Sequence, residues 1–327
     1  MRICWKAWVV AAVLVAPMMS HAVTCTSQAE LSPDARNALA SAGERLAEAI
    51  AQPDYGTLHA ALYPEVQSAW DGIQGAVDQA APLLKGGHIQ LRNLYLLDAS
   101  SQTATADAEF FCSNASGSLT VTVTLRALPP GKYGLVLADA AGAPLAGQMG
   151  IILAWQGGTS PGWTLAGLSV RQGKFDGHDG VWYWARGREL AQSDPWSAWY
   201  CYEAARYLLV PVDFLSSPNL QKLNHEQSNI AGSPRNAFPY KVHDGARTWT
   251  IDEINLDASL HHADLGVDYE STGVTDPAAL RTEATSVMSA LLKAQPGLRE
   301  NFHGLWAYAM KDGKRTAVME LPMAQIP

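Results

Sequence analysis

The chain has 327 residues, a formal net charge of −8, 17% charged residues and 48% hydrophobic ones. That apolar content excludes a mainly disordered chain, and the length allows two or three domains with cores of their own. An acidic balance without any run of basic residues excludes nucleic acid, whose binding rests on phosphate neutralisation, and anionic membrane surfaces for the same reason.

Arg2 and Lys6 lead into an apolar run at residues 7–15, followed by Pro17 and Ser20-His21-Ala22. A positive start, a short apolar core and small residues before a cut form the pattern of an export signal. Residues 1–22 are therefore predicted to be cleaved, and the working protein to be exported, periplasmic or secreted. The apolar run falls short of the roughly 20 residues that cross a bilayer. The rival reading is a lipoprotein with Cys25 as the lipidated residue, but Thr24 stands where Gly, Ala or Ser should precede it. No later transmembrane segment is expected. The apolar stretch 135–155 is interrupted by Asp139, Gly142, Pro144 and Gly147, the turn of a buried hairpin.

Cys4 leaves with the signal. Cys25, Cys112 and Cys201 remain, without CxxC spacing, in a compartment that permits disulfides. The expected bridge is Cys25–Cys112, with Cys201 a buried free thiol in a helical, aromatic segment.

Residues 30–84 read as helices. Ser32-Pro33 is a start signal, Leu39, Leu46 and Ile50 recur near helical spacing, and Pro53 breaks the run. A second helix is expected from Pro64 through Val66, Trp70, Ile73 and Val77, ending by Pro82 and Gly86-Gly87. Residues 88–170 read as antiparallel strands. Ala104, Ala106, Ala108 and Phe110 alternate with polar residues, as do Leu119, Val121, Val123 and Leu125. Such alternation means a sheet with one buried face, which Cys112 should share with Phe110. Further strands are expected at 133–138, 149–156 and 163–170.

Helices followed by antiparallel strands make residues 23–172 an α+β domain. In this order of elements, residues 30–171 resemble the cystatin-like α+β roll that includes the NTF2-like proteins. The resemblance implies helices packed across a curved sheet with a pocket between them, and it carries over no catalytic residue because no motif matches. The segment Leu128-Pro129-Pro130-Gly131-Lys132-Tyr133 resembles a turn of small exported β-sandwich modules, a reading that ranks second.

Residues 173–230 turn helical and aromatic, with a helix start at Asp194-Pro195 and a stop before Pro211. Trp182, Ala198, Tyr202 and Ala205 fall at the spacing of a tetratricopeptide repeat, which this segment resembles; Arg186 and Glu189 depart from its pattern, and Pro211 comes one position late. With one copy visible, the expectation is a single helical hairpin docked on a neighbour, with these four residues as its internal seam. The aromatic density has two readings. It is core joining the hairpin to the sheet domain, or Trp182, Trp184, Trp196 and Trp199 form an aromatic surface that stacks on a sugar or a peptide.

Residues 231–246, with Ser233-Pro234, Phe238-Pro239 and Asp244-Gly245, read as a linker. Residues 247–327 read as a second, small α+β domain. A strand from Trp249 switches parity at Asp252-Glu253, the mark of a bulge. Asp276-Pro277 opens a helix with the stripe Leu280, Ala284, Val287, Met288, Leu291 and Leu292. Asp312-Gly313 is a hairpin turn.

The densest cluster of ligand-type side chains is His261-His262-Ala263-Asp264. On a strand, His262 and Asp264 would share a face. A metal needs at least a third ligand, and His303 and Glu270 are nominees without a recognised spacing. The cluster therefore reads as a polar strand end, and no metal or other cofactor is expected. His178-Asp179 and His225-Glu226 read as caps or flanks of the hairpin, since adjacent residues on a helix do not face one another. Gly157-Gly158-Thr159-Ser160 lacks the Lys and following helix of a phosphate loop, and no Ser sits in a nucleophile elbow.

The whole plan is similar to that of uncharacterised exported bacterial proteins with an α+β roll followed by a helical pair. It points to a non-catalytic binding or scaffolding protein of the cell envelope, whose partner is a small molecule, a glycan or an envelope protein. The alternative is a hydrolase or isomerase working in the pocket of the roll. Two or more Asp, Glu, His or Tyr with shifted pKa in a pocket would favour the enzyme, and an apolar pocket or exposed aromatic patch the binder.

Overall fold

The computed structural model describes residues 23–113, 120–159, 161–245 and 247–327; the expected export signal lies outside them. The fold is α+β. The first half runs β1 (Thr24–Ser27), α1 (Pro33–Ala51), α2 (Tyr55–Ala60), α3 (Trp70–Leu84), β2 (His88–Asp98), β3 (Ala106–Ser113), β4 (Thr120–Leu128), β5 (Lys132–Ala141), β6 (Gln148–Gln156) and β7 (Gly162–Arg171). Pro33 opens α1 and Ser32 accepts from the Ala35 N–H at 3.3 Å, so the helix starts where the sequence places it. Leu39, Ala42, Leu46 and Ile50 form its buried stripe. Gly43 lets the stripe lie close on the sheet, because a Cβ there would stand 2.8 Å from a Val136 methyl.

Strands β1-β2-β5-β6-β7 make one antiparallel sheet. Helices α1 and α3 cover one face through Val136, Ala138, Met149 and Ile151. Strands β3 and β4 cover the other, where Phe110, Val121 and Val123 meet Leu97, Leu135 and Leu137. Residues of both parities in β5 are thus buried, which explains the unbroken apolar run at 133–138. The Cys25–Cys112 disulfide, with Cα atoms 5.1 Å apart, ties β1 to β3 across the two sheets. A crosslink spanning 87 residues stabilises by roughly 4–5 kcal/mol on the chain-entropy argument. Cys201 is free and buried.

The second half runs β8 (Lys174–Phe175), β9 (His178–Asp179), α4 (Gly180–Leu190), α5 (Pro195–Leu209), β10 (Leu215–Ser216), α6 (Pro218–Ser228), β11 (Tyr240–Asp244), β12 (Arg247–Asp257), β13 (Asp264–Glu270), α7 (Pro277–Ala294), α8 (Gly297–Asn301), β14 (Gly304–Lys311) and β15 (Lys314–Pro322). Strands β11 to β15 form a sheet in sequence order, with β13 and β14 parallel and joined by the α7–α8 crossover. The bulge falls between Ile251 and Glu253, and Asp312-Gly313 turns β14 into β15 with positive φ at both residues.

Three expectations need correction. Residues 231–246 are not simply a linker, because residues 240–244 form edge strand β11, paired in register with β12. The hairpin of α4 and α5 shares one core with the C-terminal sheet and α7: Tyr200 meets Phe302 edge-on, and Trp196 lies against Tyr240. The chain between α5 and α6 returns to the first half, where β10 pairs with β4 and Val212 fills the space that Gly150 leaves open.

Candidate functional site

The starts of β13 and β14 and the end of β15 meet at one edge of the C-terminal sheet. His303 sits there, immediately before β14. Its backbone N–H donates to the Ala263 carbonyl at 3.0 Å, and its own carbonyl accepts from the Met323 N–H at 2.8 Å. The ring is thereby aimed at Asp264, with Nδ1 2.9 Å from Oδ1. Asp264 is fully buried and its Oδ2 has no hydrogen-bond partner. Glu320, opposite Trp306 on β15, brings in a second carboxylate whose Oε1 is likewise unpartnered. One ligand atom from each of Asp264, His303 and Glu320 lies within 4.8 Å of the other two. Gly304 makes this convergence sterically allowed: a Cβ there would stand 2.7 Å from Glu320 Oε1 and 3.0 Å from Asp264 Oδ1.

Burial pushes the Asp264 carboxyl above its ordinary range, against the pull of the His303 hydrogen bond. Burial raises Glu320 as well, and the neighbouring Asp264 charge adds to it.

His262 stacks on His303, with ring centroids 3.8 Å apart and planes 13° from parallel. Its Nδ1 is paired with Asp176, whose other oxygen accepts from the Ala263 N–H at 3.3 Å. Asp176 and Gly177 form the two-residue turn between β8 and β9, both at positive φ. His261 faces elsewhere. It occupies a left-handed turn at φ 65°, and its Nδ1 meets the Oε1 of buried Gln172 at 3.0 Å.

Asp176 and His303 border a cleft of about 610 Å³ that runs along α4 and the end of α8. Trp182, 40% exposed, stacks on His178 at 3.8 Å along its wall. Arg186 donates from Nε to Asn301 Oδ1 at 2.9 Å and also pairs with Glu189. Tyr183 reaches the cleft from the core; burial first, and the Asp176 charge second, raise the pKa of its hydroxyl.

The four tryptophans do not make one surface. Trp182 alone among them is exposed in the cleft. Trp184 donates from Nε1 to Glu226 at 2.7 Å under the Arg188 guanidinium, Trp196 is buried, and Trp199 packs on the core. The hairpin seam holds Ala198, Tyr202 and Ala205, all buried, but the neighbouring Tyr183 takes the inward place expected of Trp182. Asp179 caps α4 by accepting from the Trp182 N–H, while Glu226 accepts from Arg188, Trp184 and Tyr202. Glu270 ends β13, about 20 Å from Asp264 at the strand rise, and is not part of the Asp264–His303–Glu320 group.

No motif in the sequence marks Asp176, Gly304 or Glu320. The pocket expected between the N-terminal helices and the sheet is filled by Leu46, Ile50, Val136 and Met149. A cavity of about 540 Å³ in that half opens at the C-terminal ends of α1 and α3. Comparison with known proteins finds no matching family model, no matching curated protein and no matching solved structure.

Proposed function

We propose that this is an exported binding protein of the cell envelope whose ligand, a glycan or another small polyol, lies in the cleft along α4. The observation that carries this reading is the wall of the cleft, where exposed Trp182 backed by His178 stands beside Arg186, Glu189 and Asn301. An indole face stacks on the apolar face of a sugar ring, and the flanking donors and acceptors match its hydroxyls. The disulfide supports an oxidising compartment, and among the described residues no helix is long and apolar enough to cross a membrane. The test is titration with maltotriose and with tri-N-acetylchitotriose, followed by tryptophan fluorescence. Saturable quenching in the native chain, lost in Trp182→Ala, is expected; no response to either sugar would sink the sugar reading.

A second reading is favoured by the Asp264–His303 pair. An imidazole held at Nδ1 by a buried carboxylate presents its other nitrogen as a base, and His303 borders the cleft. The hydrolase or isomerase alternative therefore moves from the N-terminal roll to this cleft. Turnover of a bound sugar that disappears in His303→Ala would favour it over pure binding.

A further inference from the structure

We propose that Asp264, His303 and Glu320 bind a divalent transition-metal ion of the zinc class beside the cleft that His303 borders. This goes beyond the sugar-binding reading and stands without it.

The donor set is one imidazole nitrogen and two carboxylates, which suits zinc or a neighbouring first-row ion and leaves room in the coordination shell for water or a ligand group. Metal bonds of about 2.1 Å place ligand atoms roughly 3–4 Å apart. The three atoms already lie within 4.8 Å of each other, so small side-chain rotations close the site.

An ordinary buried Asp–His pair explains less. It accounts for Asp264 Oδ1 and leaves Asp264 Oδ2 and Glu320 Oε1 buried without partners. Among the described residues, no Lys or Arg forms an ion pair with either carboxylate. Two carboxylates converging in a buried place need a counter-charge, and native structures seldom leave such atoms unpartnered. Both carboxylates point toward the space that Gly304 leaves free. A cation between the three side chains would supply that counter-charge and give Glu320 Oε1 a partner; the Asp264 oxygen nearest the Gly304 space is Oδ1, the one that also meets His303.

The surroundings are those of a ligand held in place. The His303 backbone is fixed from both sides by Ala263 and Met323, and its ring is braced by His262, which Asp176 orients in turn. Supporting contacts of this kind are what metal-binding imidazoles use to hold their geometry. His262 and Asp176 are positioning residues in this arrangement.

The test uses the exported chain without an affinity tag, stripped with a chelator and titrated with zinc against a chromogenic competitor. One zinc per chain with a dissociation constant below about 1 µM is expected. Glu320→Gln and Asp264→Asn should each weaken binding more than about 100-fold, beyond the loss a merely supporting group gives. Gly304→Ala should abolish tight binding by filling the space between the carboxylates. Circular dichroism identifies any variant that fails to fold, and Glu320→Gln, at a partly exposed position, keeps the test open if Asp264→Asn misfolds. Binding no tighter than millimolar, or tight binding that folded Glu320→Gln retains, would overturn the proposal.

Discussion

His262 lies face to face with His303 at 3.8 Å, and each imidazole has its own aspartate, Asp176 for the first and Asp264 for the second. The two pairs come from three separate chain segments and differ in surroundings. Asp264 is wholly buried, whereas the Asp176 and His262 side chains are 33% and 40% exposed. The outer pair braces the inner one from the solvent side.

From this relationship, Asp176→Asn should act on affinity more than on stability. A partly exposed pair is worth about 1 kcal/mol or less to folding. Loss of the brace on His303 should weaken zinc binding roughly 10-fold. Urea unfolding and zinc competition on the same variant check both numbers. An unchanged zinc affinity would show that the stack does not orient His303.

Trp182 and Tyr183 are neighbours with opposite fates. Trp182→Ala should change stability by no more than about 0.5 kcal/mol, because the side chain is 40% exposed. Tyr183→Ala, at 3% exposure in the hairpin core, should cost about 3–5 kcal/mol. Chemical denaturation compares them directly, and a larger loss at Trp182 would contradict the placement of both.

The same pair shows where sequence patterns stop. Period-two alternation located β3 and β4, Ser32-Pro33 and Asp276-Pro277 marked helix starts, and Asp312-Gly313 marked a hairpin, because each depends on local geometry. Repeat spacing put Trp182 in the seam, yet the turn of α4 that faces α5 is set by how the hairpin meets the C-terminal sheet. Strand β11 hid among turn residues, since an edge strand needs few apolar side chains. His262 and Asp264, two residues apart, both reach His303, while His261 in its left-handed turn meets Gln172 instead. His303 lies 39 residues beyond Asp264, reached only through the parallel pairing of β13 with β14. Nothing local in the sequence encodes that pairing.

Glu226 should govern part of the acid limb of stability. Its hydrogen bond from Arg188 lowers its pKa most, with Trp184 and Tyr202 adding to the effect against burial. A carboxylate held low contributes stability that is present above its ordinary range and is lost as pH falls through the lowered value. Glu226→Gln should cost about 1.5–3 kcal/mol near neutral pH, and the cost should shrink toward pH ~3. Unfolding free energy measured from pH ~7 to ~3 checks this; a cost independent of pH would contradict it.

The cysteines should separate cleanly. Burial pushes the Cys201 thiol up to about 12, so it should resist alkylation in the folded chain and react once in denaturant. Replacing Cys25 and Cys112 together by Ser should cost about 2–5 kcal/mol. Mass spectrometry after alkylation without reductant reads the first point, and addition of three labels instead of one would contradict the bridge.

The most direct measurement is anomalous X-ray scattering from crystals of the chelator-stripped chain soaked in zinc, recorded at the zinc absorption edge. A single dominant anomalous peak within about 2.3 Å of a ligand atom from each of Asp264, His303 and Glu320 is expected. Zinc peaks elsewhere on the surface, with none between these three side chains, would contradict it.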